Sequence, residues 1–346
     1  MFTELILKLD AIYPLIKENS LTNKHFKHRD VKKLIDNPAF FNKEQVGTSV
    51  EGREIFQVRY KGGPVRILLW SQMHGDEACA TAAFFDIFNF LSVRGSDFQS
   101  GRGLWSKVEG RRSKVEGQKS KVESPSVDEL PGIFHPSDDG LNQVREEILS
   151  NLSLCFIPML NPDGAERGIR ENALGIDLNR DAKDLISPES GILSKAVENF
   201  KPRYAFNMHD QDYLWSVGDS DRIAALSFLA PPFDADKSLS PSRQDAVNLI
   251  SLLYNSFNPL VDFRTTKYSD DFEPRAFGDT IAGKNVSTIL IESGLWKNDP
   301  DKLHLRKMNF MLLIFSFYAI AKGLIPADQD TYNNIPYNGK ILPEMD

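Results

Sequence analysis

Four stretches of this chain put metal-binding or proton-handling side chains at or just past the end of an apolar run. In the first, HGDE, His74 and Glu77 follow VRILLW. Neutral imidazole and carboxylate both ligate zinc, and this short spacing at a loop-to-helix corner can bring both onto one ion. The competing reading is a solvated helix start, with Asp76 and Glu77 favoured at the positive end of the helix dipole. His209, which ends YAFNM and precedes Asp210, is the second. Alone it fits a hydrogen-bonded core histidine. With His74 and Glu77 it completes a His₂Glu set that leaves a fourth position for water, the catalytic zinc pattern and not the structural one. The third is Glu292, the only charge in STILIE. A carboxylate there is costly to bury unless paired, hydrogen-bonded or neutral, and burial raises its pKa toward the range of a general base. The alternative is a salt-bridged strand end. The fourth, RENALGIDLNRD, carries Arg170, Asn179 and Arg180. Their donors suit a carboxylate and an oxyanion, unless the arginines simply face water. Asp177, between Ile176 and Leu178, is a natural acceptor for the far nitrogen of a ligating histidine.

The elements that would position these groups follow from the patterning. Residues 4 to 36 predict helix, largely lying on the surface. VGTSV, REIFQVRY and VRILLW predict strands, the last two separated by the turn KGGP. VRILLW is nearly all apolar, as suits a strand buried on both faces. After HGDE, Ala82, Phe85 and Phe88 recur at helical spacing. LSLCFIPML predicts another buried strand, ended by NPDG read as a turn. AVENF leads into the strand RYAFNMHD. Ala246, Ile250, Leu253 and Phe257 share one face of a helix over 243–257. KNVSTILIESG predicts a strand, and a long apolar helix spans about Pro300 to Gly323. Strands alternating with helices imply an α/β sandwich. The polar residues of interest then gather at the C-terminal ends of the strands, where ligand crevices form.

Residues 95 to 140 break this pattern. SKVEGRR, SKVEGQK and SKVESPS start at Ser106, Ser113 and Ser120, a seven-residue repeat. Each unit has one apolar residue and the first two contain glycine, so a coiled coil is excluded and a solvated insertion without catalytic role is expected. The chain is therefore expected to be one domain over 1–346, with an N-terminal helical segment over 1–45 and this insertion inside it.

Composition bounds the rest. Of 346 residues, 41 are basic and 48 acidic, a net charge of −7, which argues against nucleic acid or an anionic membrane as the main partner. Only two cysteines occur, Cys79 and Cys155, so neither a disulfide framework nor a thiolate zinc site is available. The N-terminus lacks the basic region and unbroken apolar core of a secretory signal. The longest apolar run, Phe310 to Ala321, is too short to span a bilayer. A cytoplasmic location is the expectation.

Taken in order, HGDE, NPDG, the block from Arg170 to Arg180, the strand-end His209 and the strand-end Glu292 resemble the zinc carboxypeptidases related to carboxypeptidase A, over roughly residues 45 to 320 outside the repeats. The resemblance implies a mixed eight-stranded sheet flanked by helices, with one zinc ion held by His74, Glu77 and His209. It makes Glu292 the base that activates the zinc-bound water, and Arg170 the group that polarises the scissile carbonyl. Asn179 and Arg180 would hold the substrate's terminal carboxylate, and Asp177 would orient His74. The family also uses a tyrosine on a loop before the base. Tyr268 is the only one in KYSDDFEPRAFGDTIAGKN, and Arg275 offers a further polar contact. The activity implied is hydrolysis of a peptide bond next to a free carboxylate. Two rivals are a desuccinylase- or aspartoacylase-like amidohydrolase acting on N-acyl amino acids, and a catalytically silent binding protein of the same fold.

Overall fold

The computed structural model describes residues 2–36, 42–92 and 139–343. All but the end of the 95–140 insertion, its three repeats included, lies outside the described residues.

Eight strands form one mixed sheet in the order β1-β2-β4-β3-β5-β9-β7-β8. They are β1 (Lys43–Thr48), β2 (Glu54–Tyr60), β3 (Val65–Trp70), β4 (Leu152–Ile157), β5 (Tyr204–Asp210), β7 (Leu226–Leu229), β8 (Thr265–Lys267) and β9 (Ser287–Ser293). The centre is parallel: β3 pairs with β4 and β5, and β5 with β9. Each of these strands is an almost unbroken apolar run because helices cover both faces, leaving no solvated side to encode. Two further short strands, β6 (Trp215–Val217) and β10 (Asn338–Ile341), pair with each other.

One face is covered by α1 (Phe2–Ile16), α2 (His28–Ile35), α3 (Cys79–Ser92), α4 (Asp139–Asn151), α7 (Pro241–Phe257) and α9 (Leu303–Lys322). On the other lie α6 (Pro188–Phe200), α8 (Phe277–Ala282) and Leu178. The remaining helices are α5 (Pro162–Arg167) and α10 (Gln329–Asn334).

Two local expectations are corrected. The N-terminal segment is two helices and not a surface layer: Leu5, Leu9, Ile12 and Ile16 of α1 enter the main core. Its docking is fixed by a buried pair, Asp86 of α3 with Arg306 of α9 (2.5 and 2.7 Å), joined by the Tyr13 hydroxyl and the Glu18 amide. NPDG, in turn, starts a helix. Asn161 accepts from the Gly164 amide at 2.8 Å as N-cap of α5, and Pro162 takes the first helical position, where its missing N–H costs nothing.

The strand pleat sets up the site. In β5, Phe206 and Met208 face the larger core while Ala205 faces the smaller one, so His209 lies on the latter side. In β9, Ile289 and Ile291 face the larger core, which turns Glu292 to the same side as His209. His209 and Glu292 are direct partners in the β5–β9 register.

Candidate metal centre

His74 and Glu77 lie in the loop between β3 and α3, which is pressed against the start of α5. A Cβ on Gly75 would come within 2.0 Å of the Gly164 carbonyl carbon, so only glycine fits there. The Asn161 amide donates to the carbonyls of Met73 and Arg170, 3.2 Å each, stapling this loop to the one that carries the arginines.

Three ligand atoms converge. His74 Nδ1 lies 2.7 Å from Glu77 Oε1, His209 Nδ1 lies 2.7 Å from Glu77 Oε2, and the two Nδ1 atoms are 3.2 Å apart. All three residues are buried, and their ligand atoms fit within 4.8 Å of one another. Tetrahedral zinc with bonds near 2.0–2.1 Å sets its ligand atoms about 3.3 Å apart. The trio is therefore close to the spacing that such an ion requires. Two imidazole nitrogens facing each other across one carboxylate make poor use of hydrogen bonds and good use of a cation, so the donor set fits a metal, zinc being typical of His₂Glu.

Asp177 organises the arginine side. It accepts from His74 Nε2 at 3.1 Å and from the Asn179 amide at 2.8 Å through Oδ1, and from Arg170 through Oδ2 at 3.0 and 3.1 Å. With Nε2 engaged, Nδ1 is the atom that His74 presents to the trio. Arg170 also reaches Glu77 at 3.4 Å, placing its guanidinium at the edge of the trio.

The two glutamates are driven in opposite directions. Burial alone would raise both. At Glu77 the His74 and His209 imidazoles outweigh burial and hold the carboxyl well below the usual range. At Glu292 burial and the negative charge of Glu77 push it well above that range. Among the described residues no hydrogen-bond donor reaches the Glu292 carboxylate. At His74 burial opposes the charge, but Glu77 and Asp177 outweigh it and raise the imidazole to about 9.

The remaining expected residues are spread around this centre. Asn179 Oδ1 accepts from the Phe277 amide at 3.1 Å, so it faces the start of α8. Arg180 Nη1 donates to the Asn179 carbonyl, and its Nε is 3.7 Å from Glu273. Arg275 is exposed and spends its fork on the same Glu273, at 2.9 and 2.7 Å, so the structure does not bring it to the trio. Tyr268 follows β8 and donates its hydroxyl to Gln211; burial and the charges of Glu292 and Glu77 raise its pKa. The reading from sequence omitted Gln211, Glu273 and Lys302, all polar residues in segments with no periodic signal. Asn161, expected within a turn, is a helix cap, and the Asn-Pro pair at a helix start is the signal that could have shown it.

No family model and no curated protein matches the sequence. Solved structures match its fold. A metallo-carboxypeptidase from Burkholderia cenocepacia aligns with a TM-score of 0.56 at 14% identity, covering 86% of this chain and 69% of its own. One from Pseudomonas aeruginosa aligns at 0.55 and 15%, covering 87% and 70%. Bovine thrombin-activatable fibrinolysis inhibitor aligns at 0.53 and 12%, covering 87% and 98%. The chain has the metallo-carboxypeptidase fold. Its eight-stranded mixed sheet with flanking helices matches that fold, and the buried His74, Glu77 and His209 sit at the C-terminal side of the strands. Among the described residues no helix is long and apolar enough to cross a membrane.

Proposed function

We propose that this protein is a zinc-dependent hydrolase that cleaves an amide bond next to a free carboxylate, as a metallocarboxypeptidase does. The observation that carries this reading is the convergence of His74 Nδ1, His209 Nδ1 and a Glu77 oxygen at 2.7 to 3.2 Å, with Asp177 fixing the far side of His74. These three residues hold the metal. When bound, zinc supplies a Lewis acid and brings the pKa of water near about 7.

The chain's own groups do the rest. Glu292 takes a proton from the attacking water and passes it to the leaving nitrogen; among the described residues no donor occupies its oxygens, and its raised pKa suits that role. Arg170, anchored by Asp177, polarises the carbonyl and stabilises the developing oxyanion. Asn179 and Arg180 receive the substrate carboxylate, which restricts cleavage to chain ends. Tyr268 lies on the flank of the site, held by Gln211. We read the chain as a single catalytic domain with residues 95–140 inserted into it.

A panel of peptides with free carboxylates, their C-terminal amides, and N-acyl amino acids tests this reading, with zinc content measured in parallel. Free-acid peptides are cleaved and their amides are not. Equal cleavage of acids and amides, or preference for acyl amino acids, removes the carboxypeptidase assignment. Absence of stoichiometric zinc, with no response to added zinc, removes the metal.

A further inference from the structure

Just past the ends of β5 and β9 lies a buried lysine to which none of these roles gives a task. Lys302 is 1% exposed. Its backbone is left-handed, with φ near +53°, at the N-cap of α9. A β-carbon makes that conformation unfavourable, and glycine or asparagine would hold it more easily.

The ammonium uses all three of its hydrogens. It donates to the Gln211 carbonyl at 3.1 Å and the Ser293 carbonyl at 2.9 Å, and pairs with Asp212 at 2.9 Å. Those carbonyls belong to the residue two beyond His209 and the residue one beyond Glu292. The Gln211 amide also donates to Ser293 at 2.9 Å, so Lys302 closes the β5–β9 ladder where it would otherwise fray. Asp210 is 4.0 Å from the ammonium and accepts the Cys79 amide at 3.0 Å. Cys79 opens α3, two residues after Glu77. One ammonium thus touches the backbone behind His209 and behind Glu292, and reaches that behind Glu77 through a single aspartate. Burying an ion is expensive, and an apolar side chain of equal volume would fill the space as well. The charge is needed for what it holds.

We propose that Lys302 is a positioning residue: it fixes the spacing between the metal-binding trio and Glu292 by tying together the three segments that carry them. The activity arm of the test rests on the function proposed above; the exchange arm does not.

The experiment compares Lys302→Met with Asp86→Asn, a substitution in the buried pair that docks α1, in the full-length protein with and without zinc. Amide exchange in residues 74–81, 206–213 and 288–296 of Lys302→Met rises by about 10-fold or more relative to β4, whereas Asp86→Asn shows no such local excess. With zinc bound, kcat of Lys302→Met falls by about 10- to 100-fold and KM stays within about twofold. Should Lys302→Met not fold, Asp212→Asn gives a smaller change in the same segments. A uniform rise in exchange, with the three segments no faster than β4, overturns the proposal. So does a kcat equal to that of Asp86→Asn. A wild-type protein that hydrolyses nothing in the panel sinks the proposed function and leaves the exchange data to decide on Lys302.

Discussion

Replacing Glu292 by glutamine separates what this carboxylate does for catalysis from what it does to the fold, because the two effects have opposite signs. Glu292 stands opposite His209 across the β5–β9 register, held well above the ordinary carboxylate range by burial and by Glu77. The amide keeps the shape and removes the charge. As the proposed base it accounts for about 10²–10⁴ of the rate, so kcat for a free-acid peptide falls by that factor. KM and zinc content hardly change, since Glu292 is not part of the metal trio. For stability, the folded carboxyl keeps its proton to higher pH than the unfolded one. The folded state then binds more protons between the two pKa values, and stability falls as pH rises through that window. Below the unfolded pKa of about 4.3 the wild-type and Glu292→Gln proteins are equally stable. Above the raised value the variant is the more stable. Each tenfold change in proton affinity is worth about 1.4 kcal/mol. For 346 residues, with an unfolding entropy of about 0.7 kcal/mol per kelvin, that is about 2 °C in Tm for each tenfold change. Melts of chelator-treated proteins at pH 4 and pH 9, beside peptide hydrolysis, read both effects. A variant that melts below wild type at pH 9 would show that Glu292 makes an interaction the fold needs. One that keeps a tenth of wild-type activity is not missing its base.

Arg170→Met lowers kcat by about 10²-fold, the size of a lost oxyanion donor, whereas Arg180→Met acts mainly by raising KM for free-acid peptides; steady-state kinetics on both separates polarisation from carboxylate binding. Asp86→Asn leaves Arg306 buried without its counter-ion and costs about 3–5 kcal/mol in denaturant titrations, with kcat per folded molecule unchanged. Asp279, 7% exposed, is raised by burial to about 6. Its asparagine variant keeps an acceptor for the Glu273 amide and gains about 1–2 kcal/mol above pH 6 but nothing near pH 4, which paired melts at the two values check.

The legible parts of this chain are those where a physical requirement acts on contiguous residues. β3, β5 and β9 are buried on both faces, so each appears as an apolar run with nearly the expected ends. The candidate ligands stand out because a histidine or glutamate at such a run's end is conspicuous. β6, β7 and β8 have three or four residues each, too few for a period to show. Their existence depends on the neighbours they pair with. NPDG has the composition of a turn and the cap chemistry of a helix start, and the packing of Gly75 against Gly164 is what selects the helix. Glu273 and Lys302 were illegible for a related reason. Each sits in a charged, proline-containing stretch that looks like a solvated loop, and only the fold brings a second arginine or two strand-end carbonyls to meet them.

The two glutamates make the same point about chemistry. In the sequence Glu77 and Glu292 are both carboxylates near the end of an apolar strand, and only the histidine three residues before Glu77 sets them apart. On the proposed reading their surroundings divide the roles. Glu77 lies between two imidazoles with Arg170 beside it, so its charge is favoured and its oxygens are already committed. Glu292 is half-buried, meets no donor among the described residues, and is shifted up by desolvation and by Glu77 as a like charge, so its proton is held at a higher pH. Pairs of carboxylates whose environments push their pKa values apart divide into a group that stays charged and one that carries protons. Exchanging the two roles would require bringing His74 from the end of β3 to Glu292 and turning His209 toward it. For that reason Glu77→Gln loses zinc on the proposed reading while Glu292→Gln keeps it, although the two substitutions are chemically identical.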